Sequence, residues 1–251
     1  MLQISGRIAG IRSLHLNIRT LELLEGAREA RGLTVIIDVF RAFSVASYVI
    51  GNGAREIIPV GDIQHAYHLK KSLPGAILIG ERGGRKCPGF DYGNSPAEIL
   101  PVDFTGKTVI QTTGAGTQGV VNAVGADEII GGSFPMAEAI VQYIRMRQPK
   151  EVSLVAMGTR GQIHSNEDTL FAQYLTARLK GAASPAMEEI RDCLRHDASA
   201  EKFFDPDADW APERDFDLCL RESCFSFVLK LFHEPSIGGS YFRRVDILTS
   251  S

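Results

Sequence analysis

The 251-residue sequence lacks features that would point to several common classes of protein. It has no apolar run close to the roughly 20 residues that a membrane-spanning helix needs. Its 27 Lys and Arg residues against 30 Asp and Glu residues give a net charge of −3, so the basic excess of a nucleic-acid-binding surface is missing. The N-terminal stretch lacks the continuous apolar core of a signal peptide. These absences predict a cytoplasmic protein that binds neither membranes nor nucleic acids.

Cysteine is scarce, and the few cysteines do not form a metal-binding pattern. They are Cys87, Cys193, Cys219 and Cys224. None belongs to a CxxC pair, so a zinc site is not expected. In a reducing cytosol these residues are predicted to be free thiols.

Signatures of nucleophilic hydrolases are also missing. The chain contains no GxSxG motif, which excludes a nucleophile elbow of the α/β-hydrolase type. Cysteine phosphatases need an arginine six residues after the cysteine, and Gly93 stands at that distance from Cys87. Enzymes that form an aspartyl phosphate carry a second Asp two residues after the first, and Phe40 stands there after Asp38. Neither covalent scheme is therefore expected.

A dinucleotide site is disfavoured for a similar reason. GAGTQG, residues Gly114 to Gly119, matches G-x-G-x-x-G and follows a predicted strand. A dinucleotide site requires an acid about 20 residues later, at the end of the next strand. That strand, DEIIGG, is followed by Ser133 and Phe134 instead. The same turn would serve a single phosphate or sulfonate as well.

Short β-rich runs alternate with helical patterns along most of the chain. Strands are predicted at residues 34–40, 55–60, 76–80, 107–113, 127–132 and 151–158, with a further strand and helix within the first 30 residues. Among the helices, Asp62 is the predicted cap of residues 62–73, and Gly181 ends residues 166–181. Such alternation indicates βαβ units and a mostly parallel, buried sheet. The predicted fold is therefore α/β, with three layers in the order α/β/α.

The domain prediction is one unit over residues 1–251. A second arrangement stays open, in which two tightly associated lobes meet near residues 100–106. Residues 182–251 are predicted to form a helical C-terminal extension of the same unit, with a late strand at FSFVLKLF, residues 225–232. This extension is expected to cover either the binding pocket or a partner.

The segment GERGGRKCPGFDYGNSP, residues 80–96, is predicted to be neither helix nor strand. It has four glycines in its first ten residues and two prolines in all. Loops of about 12–15 residues without secondary structure are uncommon inside compact domains and are usually functional. The segment is therefore predicted to hold a ligand.

Polar residues follow several of the predicted strands. They are Asp38, Arg41 and Ser44 after the first, residues 81–86 with Asp91, Asn94 and Ser95 after the third, residues 112–117 after the fourth, and Arg160, His164, Glu167 and Asp168 after the sixth. Ligands bind beyond the carboxyl ends of parallel strands, so these acids and arginines are expected to converge on one edge. Arginines and glycine-exposed amides hold phosphate. Acids beside a phosphate make sense if they bind a hard cation such as Mg²⁺.

The same residues also have purely structural interpretations. Asp38 would serve equally well as the cap of the following helix. Glu167 and Asp168 lie in the first turn of a predicted helix, where acids interact favourably with the helix dipole. Arg160 and His164, taken alone, do not differ from surface residues.

Four segments together resemble the 2-phosphosulfolactate phosphatase family. They are IIDVFRAFS (36–44), GERGGRKCPGFDYGNSP (80–96), TTGAGT (112–117) and SNEDTLFAQ (165–173), and the resemblance covers about residues 33–181. It implies a magnesium-dependent acid phosphatase that hydrolyses (R)-2-phospho-3-sulfolactate to 3-sulfolactate and phosphate, a step of coenzyme M biosynthesis. It also implies that the motif positions are Asp38, Arg41, Glu81, Arg82, Gly83, Gly84, Asp91, Asn94, Ser95, Thr113, Gly114, Thr117, Glu167 and Asp168.

Parts of three of these segments depart from the family's usual pattern. The first has Phe40, Phe43 and Ser44, the turn TTGAGT has an extra residue and no Asn, and residues 170–173 read LFAQ. These changes touch the predicted pocket, so two alternatives stay open. One is a phosphatase for another small phosphorylated acid or sugar, and the other is a non-catalytic anion-binding relative.

The predicted site combines a metal, an anion-binding surface and a proton donor. Mg²⁺ is expected on a subset of Asp38, Glu81, Asp91, Glu167 and Asp168. The predicted catalytic residues are Asp38, Arg41, Glu81, Arg82 and His164, with His164 protonating the leaving alkoxide. The arginines, including Arg160, neutralise the phosphoryl group, and the other predicted substrate contacts are Gly83, Gly84, Asn94, Ser95, Thr113, Gly114, Gly116 and Thr117. A homodimer is the expected assembly, because it is the commonest one.

Overall fold

The computed structural model describes residues 16–234 and 239–247. In chain order its elements are β1 (Asn17–Glu22), α1 (Leu23–Glu29), β2 (Gly32–Ile37), α2 (Ala42–Gly51), β3 (Glu56–Pro59), α3 (Ile63–Ser72), β4 (Ile77–Arg82), β5 (Arg85–Lys86), α4 (Pro96–Ile99), β6 (Thr108–Thr112), α5 (Gly116–Asn122), β7 (Ala126–Gly132), α6 (Ala137–Arg147), β8 (Glu151–Ala156), α7 (Asn166–Lys180), α8 (Met187–Arg195), α9 (Glu201–Phe204), α10 (Glu213–Cys219), β9 (Phe227–Glu234) and β10 (Gly239–Asp246). The predicted alternation of strands and helices is confirmed over residues 17–180. None of the helices in the described ranges is long and apolar enough to cross a membrane.

Ten strands form one sheet in the order β1-β8-β2-β7-β9-β10-β3-β6-β4-β5. Strands β1, β8, β2 and β7 form one parallel group, and β3, β6 and β4 form a second. The antiparallel hairpin of β9 and β10 lies between the two groups. The predicted α/β class with a mostly parallel sheet is confirmed, with helices flanking the sheet.

The C-terminal hairpin joins the two parallel groups. Each group contacts it through one strand pair, Ile130 with Lys230 on one side and Ile57 with Phe242 on the other. The helices expected in the C-terminal segment are α8, α9 and α10, and β10 is a strand that the sequence did not predict. The late strand predicted at residues 225–232 corresponds to β9. β10 reads GSYFRRVD, which has no apolar run and gives no strand signal of its own.

The segment at residues 100–106 does not interrupt the sheet. β4 and β6 lie on either side of it in the chain and pair directly, for example Leu78 with Ile110. The predicted single unit also includes residues 1–15, 235–238 and 248–251, which lie outside the described residues. The domain organisation of the whole chain therefore stays a prediction.

The two parallel groups run in opposite directions. Three antiparallel pairings separate β7 from β3, and an odd number of them reverses the strand direction. The expectation that the strands all end at one edge of a parallel sheet is therefore wrong. Loops from the two groups nevertheless meet. Gly116 N, after β6, donates a hydrogen bond of 2.7 Å to Oδ2 of Asp38, after β2.

The buried residues explain why these segments form strands and helices. Every residue of β2 from Leu33 to Ile37 is buried, as expected for a parallel strand that is covered on both faces. Asp62 caps α3, where its Oδ1 accepts a hydrogen bond of 2.8 Å from His65 N. Gly181 ends α7 in a left-handed conformation with φ of 68°. Both predicted helix boundaries are confirmed.

The glycine-rich segment contains more structure than predicted. β4 extends to Arg82, and β5 pairs with it in a short antiparallel hairpin. Gly83 and Gly84 make the turn with φ of +61° and +86°, values that glycine adopts without the steric cost of a side chain. The prediction that residues 80–96 hold neither helix nor strand is therefore wrong for residues 80–82, 85 and 86, and Pro96 begins α4.

Candidate active site

Loops from both parallel groups and from the C-terminal segment enclose a cavity of about 200 Å³. Its wall includes Asp38 and Arg41 after β2, the turn of Gly83 and Gly84, and the turn of Gly114 and Ala115. The loop after β8, with Arg160, and the C-terminal residues Lys202 and Trp210 complete it. Sites for drug-sized ligands occupy about 300–1,000 Å³, so this cavity suits a small metabolite.

Asp38 joins the loop after β2 to the start of α5. Its Oδ1 accepts a hydrogen bond of 3.0 Å from Ala42 N, and its Oδ2 accepts one of 2.7 Å from Gly116 N. Burial raises its pKa from 3.8 to about 6, and the nearby Glu81 carboxylate adds to the rise. Asp38 thus binds the first N–H of both α2 and α5, although the N-cap residue of α2 is Arg41. The same carboxyl lines the cavity.

Glu81 joins two glycine turns in the same way. Its Oε1 accepts a hydrogen bond of 2.6 Å from Gly114 N, and its Oε2 accepts one of 2.7 Å from Gly84 N. Each carboxylate oxygen has a second lone pair, so these bonds leave acceptor capacity on the cavity side. Glu81 thus fixes the two turns that form one wall of the cavity.

Glu167 and Asp168 begin α7 and have different surroundings. Asp168 is buried, and its two oxygens accept hydrogen bonds of 2.8 Å from Val39 N and Gly158 N. Burial raises the pKa of Asp168 well above its usual range, and the charge of Glu167 adds to this. Glu167 lines the cavity, and its buried Oε2 has no hydrogen-bond partner among the described residues. Burial raises the pKa of Glu167, and the Lys202 ammonium opposes that rise.

Arg41 is a buried cation on the cavity wall. Its Nη1 donates hydrogen bonds of 2.7 Å to Asp215 Oδ2 and 2.8 Å to Trp210 O. Its Nη2 donates one of 3.3 Å to Gly84 O, and its guanidinium carbon lies 5.3 Å from the centroid of the Trp210 ring. These contacts with Asp215 and Trp210 show that the C-terminal segment holds Arg41 in place. The Phe40–Arg41 peptide bond is cis.

The cavity thus combines buried carboxyls with basic side chains and glycine turns, which is the chemistry that binds a phosphorylated anion. The sequence model of the 2-phosphosulpholactate phosphatase family matches residues 18–233. The chain belongs to that family. The match extends past residue 181 and includes the C-terminal wall of the cavity, which the resemblance drawn from the motifs did not cover.

Several curated members of the family are similar to this chain over most of its length. A probable 2-phosphosulfolactate phosphatase of Thermotoga petrophila is 35% identical over 206 residues, 77% of this chain and 86% of that protein. One of Bacillus subtilis is 29% identical over 207 residues, 82% of this chain and 89% of that protein. One of Carboxydothermus hydrogenoformans is 41% identical over 145 residues, 58% of this chain and 59% of that protein.

In this member of the 2-phosphosulpholactate phosphatase family, the predicted metal ligand Asp168 does not line the cavity, because both of its oxygens are bound to backbone N–H groups. Three other residues with predicted chemical roles also lie away from the cavity. The His164 side chain is 64% exposed, with Nδ1 3.3 Å from Glu22 Oε2. Asp91 Oδ2 accepts a hydrogen bond of 2.8 Å from Leu78 N, on the other side of the glycine-rich hairpin. The predicted proton donor and two predicted metal ligands are therefore not brought to the site.

Arg82 is the third of these residues. Its Nη2 donates hydrogen bonds of 2.8 Å to Thr112 Oγ1 and 3.1 Å to Gly61 O, and its Nη1 donates one of 2.6 Å to Glu81 O. The guanidinium therefore ties β4 to β6 and to the loop after β3. It does not line the cavity of about 200 Å³.

Three predicted substrate contacts serve the loops that support the cavity. Thr113 and Thr117 are joined by two reciprocal hydrogen bonds at the start of α5. Thr117 N donates to Thr113 Oγ1 at 3.1 Å, and Thr113 N donates to Thr117 Oγ1 at 2.9 Å. Ser95 caps α4 and donates a hydrogen bond of 2.8 Å to Asp215 Oδ1. Five other predicted substrate contacts do line the cavity, namely Gly83, Gly84, Asn94, Gly114 and Arg160. Gly116 is not in the lining, but its N–H donates to Asp38, which is.

The sequence motifs missed the C-terminal contribution to the site. Lys202 and Trp210 line the cavity, and Asp215 holds Arg41. All three lie in the stretch from residue 182 onward, where the sequence shows helical patterns and no recognisable motif. Trp210 is the single tryptophan of the chain, and that is the one compositional signal that singles out a residue there.

Oxygen atoms at the cavity fit a hard divalent cation. Asn94 Oδ1 and Glu167 Oε2 are buried and have no hydrogen-bond partner within the described ranges, and Asp38 lines the same cavity. The described residues contain no cluster of three or more His, Cys, Asp or Glu side chains arranged to hold a metal. Mg²⁺ is usually held by one or two carboxylates, with waters and substrate phosphate completing its octahedron, so the donors present fit it.

Proposed function

We propose that this protein hydrolyses (R)-2-phospho-3-sulfolactate to 3-sulfolactate and inorganic phosphate, with Mg²⁺ as cofactor. The observation that carries the proposal is the meeting of Arg41 and Lys202 with Asp38 and Glu167 around one small cavity. The names of the relatives from Thermotoga petrophila and Bacillus subtilis supply the substrate. The cavity volume of about 200 Å³ agrees with a ligand of this size.

The reaction breaks the P–O bond of the ester. The oxygen of a water molecule bonds to phosphorus, and the alkoxide of sulfolactate leaves and takes up a proton. Glu167, with Asp38 and the Asn94 amide oxygen, would hold Mg²⁺, which when bound supplies charge neutralisation for the phosphoryl oxygens. The Arg41 guanidinium adds a permanent positive charge and Lys202 adds one in its protonated form, although burial lowers the pKa of Lys202. Such charges stabilise the transition state of phosphoryl transfer.

The direct test is phosphate release from 2-phosphosulfolactate by the purified protein, with Mg²⁺ and with excess chelator. We expect turnover that the chelator abolishes and that added Mg²⁺ restores. Unchanged turnover in the chelator would remove the metal from the proposal. Faster turnover of another phosphorylated acid or sugar in a panel of phosphomonoesters would reassign the substrate. Tight binding without turnover of any compound would point to a non-catalytic relative.

Three further expectations accompany the proposed function. The cytoplasmic location, the homodimeric assembly and the place in coenzyme M biosynthesis remain predictions from the sequence. Size-exclusion chromatography with light scattering checks the second of these directly.

A further inference from the structure

The cations of the cavity lie on two different walls. Lys202 comes from α9, and its Nζ lies 5.5 Å from the centroid of the Phe40 ring and 5.1 Å from that of Phe203. It lines the cavity together with Asp38 and Glu167. Lys202 therefore lies among the carboxyls that are proposed to hold the metal, where the phosphoryl group would bind.

Arg160 approaches the cavity from the loop after β8. Its Nη2 lies 3.6 Å from the point where a Cβ of Gly83 would stand, and its Cγ lies 3.8 Å from the corresponding point of Gly114. The Arg160 side chain thus lies against both glycine turns, with its guanidinium beside Gly83, and a side chain at either glycine would occupy part of the same space. It also lines a neighbouring, more open recess together with Gln118.

The Arg160 guanidinium is available to an anion. The residue is exposed, and within the described part of the chain it forms no ion pair, whereas Arg41 is paired with Asp215 at 2.7 Å. A guanidinium presents several N–H donors in a planar fork, which matches the oxygens of a sulfonate, carboxylate or phosphate. Its charge is permanent over the physiological pH range.

The substrate's own geometry decides which anion reaches this position. In 2-phospho-3-sulfolactate the carboxylate is attached to the same carbon as the phosphate ester, and the sulfonate is one carbon further away. The sulfonate is also the weakest base of the three anions, so it competes least for a hard cation. Arg160, the exposed cation of the cavity, therefore suits the sulfonate better than the other two anions.

We infer that Arg160 binds the sulfonate of the substrate and sets the preference for a sulfonated phosphomonoester, while Lys202 and Arg41 face the phosphoryl group. This inference rests on the proposed function and adds an orientation of the substrate in the cavity. It makes Arg160 a specificity residue instead of one of the arginines around the transferring phosphoryl group.

Two variants and three compounds test it. The variants are Arg160→Met and Lys202→Met, and the compounds are 2-phosphosulfolactate, 2-phospholactate without the sulfonate, and 2-(phosphooxy)ethanesulfonate without the carboxylate. We expect Arg160→Met to lower kcat/KM by roughly 10- to 100-fold for the two sulfonated compounds, the range of a hydrogen-bonded charge contact. For 2-phospholactate, which has no sulfonate to lose, it should change kcat/KM by less than about twofold.

Lys202→Met provides the contrast. Because Lys202 faces the common phosphoryl group, we expect it to lower kcat/KM for all three compounds by similar factors. It should also weaken competitive inhibition by inorganic phosphate, which Arg160→Met should leave unchanged. Arg147→Met is the matched control, since Arg147 is paired with Glu128 at 3.3 Å on a different face and does not line the cavity.

Several outcomes would overturn the inference. A loss in Arg160→Met of equal size for all three compounds would place Arg160 at the phosphoryl group. A loss confined to 2-phosphosulfolactate and 2-phospholactate would place it at the carboxylate. If the unmodified protein hydrolyses none of the compounds, the proposed function fails, and calorimetric binding decides the inference separately. Arg160→Met must then weaken binding of the sulfonated compounds selectively, and equal or absent binding of all three would refute it.

Discussion

Asp215 Oδ2 lies 2.7 Å from Nη1 of Arg41, and both side chains are almost fully buried. The same carboxyl accepts hydrogen bonds from Ser95 Oγ at 2.8 Å and from Ala97 N at 2.9 Å. One side chain of α10 therefore ties the loop after β2 to the start of α4. The C-terminal segment forms part of the cavity wall through Lys202 and Trp210. Through the ion pair with Asp215 it also holds Arg41, which follows β2, in position.

Removing the Asp215 carboxylate should lower the stability of the fold. In Asp215→Ala the Arg41 charge stays buried without its partner, and we expect the free energy of unfolding to fall by about 3–5 kcal/mol. Chemical denaturation measures this change. Asp217→Ala is the matched control, because Asp217 pairs with Arg191 at 2.8 Å at the surface, where such a pair contributes about 0–1 kcal/mol. Equal losses in the two variants would contradict a special role of the buried pair.

Gly116 should not tolerate a side chain. A Cβ at this position would lie 2.8 Å from Ala42 Cβ and 2.9 Å from Asp38 Oδ2. We expect Gly116→Ala to lower the free energy of unfolding by about 1–3 kcal/mol through overpacking, and to lower kcat because it displaces the Asp38 carboxyl. Gly75→Ala is the control, since nothing lies within 4 Å of a Cβ there. Retained kcat in Gly116→Ala would show that the position of Asp38 is not critical.

Glu167 should set the requirement for magnesium. Its Oε2 is the cavity carboxylate oxygen that lacks a hydrogen-bond partner among the described residues, so Glu167→Gln removes charge where the metal is proposed to bind. We expect at least a tenfold rise in the Mg²⁺ concentration needed for half-maximal activity, equivalent to about 1.4 kcal/mol. Mg²⁺ titration of phosphate release measures it. Glu188→Gln, at an exposed position on α8, should leave the titration unchanged, and an equal shift there would refute the assignment.

The attachment of β3 to the hairpin should depend on pH. Arg243 Nη2 on β10 donates a hydrogen bond of 2.7 Å to Glu56 Oε2 on β3. Burial disfavours the Glu56 carboxylate, but the hydrogen bonds from Arg243 and Arg55 outweigh this and hold the pKa of Glu56 below its usual 4.5. A carboxyl whose pKa is lower in the folded state stabilises the fold above its unfolded pKa. That stabilisation is lost as the pH falls through the folded pKa.

Glu56→Gln measures this contribution. We expect the variant to be less stable than the unmodified protein by about 1.5–3 kcal/mol at pH 7, the range for hydrogen bonds to a charged group. The difference should shrink as the pH falls below about 4.5. The control is Glu213→Gln, whose carboxylate lies 3.6 Å from Arg195 at the surface. A difference between Glu56→Gln and the unmodified protein that is independent of pH would contradict the linkage.

Local sequence signals predicted the elements that depend on local physics. β2 is buried on both faces and reads as an apolar run, Asp62 caps α3, and Gly181 ends α7. Each of these signals lies within one segment of chain. The same holds for the four motifs, whose residues Asp38, Glu81, Gly114 and Glu167 do reach the cavity.

The remaining features depend on contacts between distant segments. β10 is a strand because β9 and β3 pair with it, and its own sequence does not require that. Lys202 lies on a four-residue helix that has no motif, and only the folded chain places it beside Phe40. His164 and Asp91 follow strands as the rule for ligand sites requires, but their loops turn the side chains toward Glu22 and Leu78 instead.

The hairpin of β9 and β10 lies in the middle of the sheet but comes last among the described elements. During translation, β7 and β3 therefore emerge from the ribosome long before the strands that pair with their free sides. A nascent chain of about 220 residues exposes two unpaired sheet edges, at synthesis rates of about 5–20 residues per second, and such edges readily pair with other chains. Protection by chaperones is most valuable in that interval, which ends only when Asp246 has left the exit tunnel.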